Sequence, residues 1–94
     1  MIDLLIEVPN KTGLHARPAN LFVKTAKKYL CDITISKEND EKSYNAKSIF
    51  SVISMAAVKG TRIVVHADGP DEEDAIREIE QLVDDNFGET EHSI

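Results

Sequence analysis

The 94-residue chain holds a single cysteine, Cys31, so no intrachain disulfide can form and no metal site can rest on a set of thiolates. It also lacks an excess of positive charge. The net charge of −6 argues against general nucleic-acid binding, which needs a basic face to displace counterions from phosphates. No apolar run approaches the roughly 20 residues needed to span a bilayer, so membrane insertion is not expected. The first residues, MIDLLIEVPNK, carry acids inside their apolar stretch and have no basic segment ahead of it. They read as a strand, not a signal peptide, and a cytoplasmic location is the expectation. His66 and His92 have no convergent ligand partners in the sequence and read as structural or solvated. No metal and no cofactor is expected.

Hydrophobic residues make up 41% of the chain and charged residues 30%, the balance of a globular protein and not of a disordered one. The length allows one hydrophobic core and leaves little volume for a deep active site. Residues 1–88 read as one domain and residues 89–94 as a polar tail.

Ile2, Leu4, Ile6 and Val8 alternate with mostly polar residues and predict a half-buried strand, broken by Pro9-Asn10-Lys11-Thr12-Gly13. From Ala16 the period changes. Ala19, Phe22, Val23, Ala26 and Leu30 fall on one face of a helix, and Pro18 suits its first turn. Cys31, Ile33 and Ile35 alternate as a second strand, with Cys31 expected to be buried, and residues 43–46 return as a short third one. Ile49, Val52, Ile53 and Ala56 show helical spacing before Gly60; Ile63, Val65 and Ala67 form the last strand. Asp71 and Asp74 resemble a capping box ahead of a helix carrying Ala75, Ile76, Ile79, Leu82 and Val83, which Gly88 can end. The order β-α-β-β-α-β-α predicts a two-layer α+β domain, with helices on one side of a mainly antiparallel sheet.

The segment richest in chemistry is Lys11-Thr12-Gly13-Leu14-His15-Ala16-Arg17-Pro18-Ala19. It puts a histidine where a loop becomes a helix. The first N–H groups of a helix lack internal partners and carry partial positive charge, so a phosphate there can accept backbone hydrogen bonds. Arg17, two residues on, adds a fixed cation of fork geometry. A lone histidine near a helix start is more often a plain cap; the complete string, falling on the loop-to-helix junction, is what points to phosphate chemistry.

Gly13-Leu14-His15-Ala16-Arg17-Pro18-Ala19 resembles the active-site motif of the HPr family, the histidine-containing phosphocarriers of the phosphoenolpyruvate-dependent sugar phosphotransferase system. Asn45-Ala46-Lys47-Ser48-Ile49 and Ala67-Asp68-Gly69 resemble later parts of the same family, so the likeness covers essentially the whole chain. It implies an open-faced sandwich of four antiparallel strands under three helices. It further implies that His15 takes phosphate on Nδ1 from enzyme I and delivers it to IIA domains of sugar permeases, with Arg17 interacting with the phosphate. The protein would then be a carrier, expected to be monomeric, and not a turnover enzyme. Ser48 reads as an N-cap; in Gram-positive relatives the matching serine is phosphorylated by a dedicated kinase, and the product recruits a catabolite regulator. Ile49, Phe50 and Ile53 match an exposed apolar docking patch. Lys24 and Lys27 give the first helix a basic side able to steer acidic partners, whereas Lys28 reads as solvated. Ser51 and Ala56 stand where many relatives have glycine, which puts the ending of the second helix in question.

Three other readings remain open at this point. A carrier of a nitrogen-related or regulatory branch would share the motif. A small phosphatase of the acylphosphatase kind would need a glycine-rich phosphate loop, which is not found. A non-catalytic binding module would make His15 dispensable.

Overall fold

Alternating strands bury one face each, and the helical stripes cover that face. The computed structural model describes residues 1–89: β1 (Ile2–Glu7), α1 (Ala16–Lys27), β2 (Asp32–Lys37), β3 (Tyr44–Asn45), α2 (Ile49–Ser54), β4 (Arg62–Asp68), α3 (Glu72–Asp84) and a 3₁₀ turn, Asn86–Gly88. The strands lie in the order β1-β4-β2-β3, each pair antiparallel. The register sets Ile6 opposite Ile63 and puts Val65 between Leu4 and Ile35. A slip of one residue would turn this whole set to the open face. Phe22 and Ala26 of α1, Val52 of α2 and Ala75 and Ile79 of α3 close over it, with no exposed surface of their own. Cys31 is buried as expected, and burial pushes its thiol up to about 11. The open face carries Asp3, Leu5 and Glu7 beside Val64 and His66, and the His66 ring meets the Asp3 carboxylate there.

Several expected details differ. Leu30 is 84% exposed and not on the buried stripe. The helix stops at Lys27, so Leu30 falls outside its rotation, while Tyr29 packs against the core and donates its hydroxyl to Glu78. Lys28 pairs with the same carboxylate. The Asp71 side chain does not cap α3. It accepts the backbone N–H groups of Leu30 (2.7 Å) and Cys31 (2.9 Å), which hold its carboxyl below the usual carboxylate range. Glu72 accepts the Gly69 N–H at 3.0 Å in the turn ahead of the helix, whose start has no side-chain cap. Helix α3 ends at Asp84, and Gly88 closes the 3₁₀ turn that follows. His92 and the rest of the expected tail beyond Glu89 lie outside the described residues.

Helix α2 also ends early, at Ser54. Met55 and Ala57 are buried, and Ala56, expected on the core stripe, is exposed with φ +55°. A left-handed conformation costs a residue with a Cβ roughly 1–2 kcal/mol, partly offset by the lower chain entropy that alanine has when unfolded. Ala56→Gly is therefore expected to raise stability by about 1 kcal/mol, measured as a higher urea midpoint at unchanged slope. A lowered midpoint would contradict the strain.

Candidate functional site

The loop before α1 is built on a fully buried Asn10, whose amide donates to the Gly13 carbonyl at 2.8 Å while the Gly13 N–H returns to the Asn10 carbonyl at 3.2 Å. Gly13 has φ +72°, and a Cβ there would stand 2.4 Å from the Ala57 carbonyl oxygen, so this close crossing requires glycine. Leu14 is wholly buried and its N–H donates to that same carbonyl at 3.0 Å. The residue before His15 is thus tied to the segment that follows α2.

His15 occupies the N-cap position in extended conformation (φ −132°, ψ 159°), and its side chain makes no capping hydrogen bond. The ring is half-buried. Ala16 then takes φ +50°, a strained turn that brings the chain into the helix. The first turn of α1 carries no acidic residue. Pro18 has no N–H to offer, so the free donors at this end are the backbone groups ahead of it. Arg17 is exposed, and among the described residues it forms no ion pair. Lys24 and Lys27 are exposed farther along the same helix.

Ser48 caps α2, its hydroxyl accepting the Ser51 N–H at 3.4 Å while Val52 N–H reaches its carbonyl at 3.0 Å. Lys47 is drawn inward, donating its ammonium to the Tyr29 carbonyl at 2.7 Å. Phe50 is 83% exposed and Ile53 40%, whereas Ile49 leans on the core. Val58, exposed and adjacent to Ala57, adds an apolar group that the sequence reading passed over. It also passed over Asn10, read only as part of a break, and Glu89, read as tail. Glu89 accepts the Thr12 N–H at 3.1 Å and the Thr12 hydroxyl as well. The polar groove lined by Lys28, Tyr29, Asp74, Arg77, Glu78 and Gln81 contains none of the expected site residues.

An imidazole at the start of a helix, with an exposed arginine two residues on and exposed apolar side chains on and after α2, can hold an anion at the surface and present it to another protein. That is the layout of a group carrier. The chain matches the family model described as the PTS HPr component phosphorylation site over residues 4–85. It is 42% identical over 91 residues to the phosphocarrier protein HPr of Neisseria meningitidis, covering 97% of this chain and all of that one. The HPr-like protein Crh of Bacillus subtilis is 41% identical over 83 residues, covering 88% of this chain and 95% of its own. Among solved structures, an HPr from Thermoanaerobacter tengcongensis superposes with a TM-score of 0.91 at 45% identity, over 97% of this chain and 100% of that chain.

The chain belongs to the HPr family of phosphocarrier proteins of the phosphotransferase system. It is a carrier and not a catalyst, and family membership implies interaction with the enzyme I and IIA components of that system.

Proposed function

We propose that His15 is the acceptor, taking a phosphoryl group on Nδ1 from phospho-enzyme I and passing it to IIA domains of sugar permeases. The observation that carries this reading is the placement of an uncapped imidazole at the start of α1, with Arg17 two residues on and no acid in that turn. The phosphorus–donor bond breaks as the bond to Nδ1 forms, and the ring proton stays on Nε2. Arg17 and the free backbone N–H groups meet the added charge. Exposed Phe50 and Ile53, with Ile49 behind them, form the docking patch; Lys24 and Lys27 steer acidic partners. The working form is a monomer in the cytoplasm, since pairing through the patch would hide it, and the carrier unit is the domain of residues 1–88 together with Glu89, which is tied to it through Thr12. Among the described residues no helix is long and apolar enough to cross a membrane. Incubation with phosphoenolpyruvate and enzyme I, followed by intact mass, is expected to show one added phosphate that is lost in acid and kept in alkali. No mass gain would contradict the acceptor assignment.

Ser48 is the proposed regulatory site, modified by a serine kinase to restrain transfer and recruit a catabolite regulator. Supporting this, a relative, Crh of Bacillus subtilis, is a catabolite repression HPr. Ser48→Asp is expected to keep its cap, and hence its stability. The new charge beside the apolar patch would need desolvation on docking, raising the apparent KM for enzyme I about tenfold at a nearly unchanged saturating rate. A collapsed saturating rate at constant KM would place Ser48 in the His15 site instead.

A further inference from the structure

After α3 the chain makes an uncommon turn. Asn86 (φ +61°), Phe87 (φ +52°) and Gly88 (φ +72°) are left-handed in succession, and two of them carry side chains that oppose such a conformation. What holds it is specific. Gly88 and Glu89 donate their N–H groups to the Asp85 and Asn86 carbonyls, both at 3.0 Å, and the Asn86 amide reaches the Glu89 carbonyl at 3.1 Å. Phe87 is fully buried, edge-on to Phe22 of α1 with ring centres 6.1 Å apart. A Cβ at residue 88 would come 2.5 Å from the Leu21 side chain, so the turn lies close against α1.

The turn delivers one group. Glu89 reaches a residue 77 positions away, accepting the Thr12 N–H at 3.1 Å on one carboxylate oxygen and the Thr12 hydroxyl on the other. Its carboxyl lies below the usual carboxylate range, chiefly because the Thr12 hydroxyl donates to it, with the Thr12 and Lys11 amides and the Asn10 side chain acting the same way. Thr12 is three residues before His15. On the far side of the loop the Leu14 N–H is fixed to Ala57 at 3.0 Å. Between these two anchors the described hydrogen bonds are the loop's own, from Asn10 to Gly13 and Thr12.

We propose that Glu89 is a positioning residue for phosphoryl transfer: presented by the Asn86–Gly88 turn, its carboxylate clamps Thr12 and so fixes the loop that presents His15. The claim rests on His15 being the acceptor. Backbone strain persists only where surrounding contacts over-determine it; here the turn's own hydrogen bonds and the packing of Phe87 on Phe22 hold it, and the group it delivers, Glu89, reaches the loop that precedes His15. Orientation of the acceptor acts on the transfer step, not on the encounter between proteins.

The test compares Glu89→Ala and Glu89→Gln with the full wild-type chain in rapid-mixing transfer from phospho-enzyme I. Hydrogen exchange at the Thr12 amide is read in parallel. Glu89→Ala is expected to lower the saturating rate about fivefold, leave KM within about twofold, and expose the Thr12 amide to faster exchange. Glu89→Gln, which keeps an acceptor oxygen but loses the charge, is expected to fall between Glu89→Ala and wild type. In Thr12→Ala/Glu89→Ala the two rate losses should not add, because they break one contact. A wild-type saturating rate in Glu89→Ala, a defect confined to KM, or an unchanged Thr12 exchange rate would overturn the proposal. Wild-type protein phosphorylated elsewhere than on His15 would remove the acceptor assignment and the positioning role with it, a failure visible before any Glu89 variant is mixed.

Discussion

His15→Ala is expected to gain no phosphate from phospho-enzyme I while keeping its fold. The first half follows from chemistry: alanine has no nucleophile, and neither Arg17 nor the helix N–H groups can form a phosphorus bond. Loss should be complete and not graded. The second half follows from packing. His15 is half-buried, its backbone is extended, and its ring caps nothing. Any L-residue adopts that conformation, so a change there is expected to cost within about 0.5 kcal/mol. The anchors that shape the loop lie in Asn10, Gly13 and Leu14 and survive the substitution. Intact mass after incubation with enzyme I reads the first half, and a thermal melt followed by circular dichroism reads the second. An alanine variant that still gains phosphate would contradict the assignment.

Phe50→Glu is expected to weaken binding to enzyme I or a IIA domain about 30-fold, the loss of a modest interface anchor worth about 2 kcal/mol. Stability should hardly move. Phe50 is 83% exposed in the first turn of α2, and a carboxylate near a helix N-terminus is favourable, so the domain has no reason to loosen. On a partner, the same carboxylate would replace an aromatic ring by a group that resists desolvation. Calorimetric titration with enzyme I, beside a melting curve, separates the effects. Unchanged affinity would remove Phe50 from the docking surface. A melting point lowered by several degrees would show that the ring supports the core.

Much of this architecture was legible because period-two and period-3.6 patterns report burial directly. Ile33 and Ile35 on β2, or Ala75 and Ile79 on α3, have no role except to face the core. Antiparallel pairing was expected, but the strand order, with β4 between β1 and β2, was not legible, because alternation shows which face of a strand is buried and not which strand lies beside it. What the pattern missed lies at element ends. Leu30 keeps helical spacing with Ala26, yet no glycine or proline marks the stop at Lys27, so periodicity alone runs one turn too far. Ala56 is chemically a helix former; only the likeness to relatives with glycine there hinted at the left-handed bend it makes. Asp71 stood at a capping spacing, but a short carboxylate at a helix start can equally bind another segment, here the Leu30 and Cys31 amides. The positions of His15 and Arg17 could be read because the motif is contiguous. Glu89 could not, since its contact with Thr12 depends on the folded path of the whole chain. Asn10 hides for a different reason: asparagine is common in turns, and nothing local shows that its side chain lies inside.

The most direct test of the carrier reading is heteronuclear NMR of the protein phosphorylated by phosphoenolpyruvate and enzyme I, locating phosphorus by its coupling to ring nitrogen. The expected result is a single phosphorus on Nδ1 of His15, with the largest amide shifts at Ala16 and Arg17 at the start of α1. Phosphorus on His66, on Ser48 or on Nε2 of His15 would contradict it.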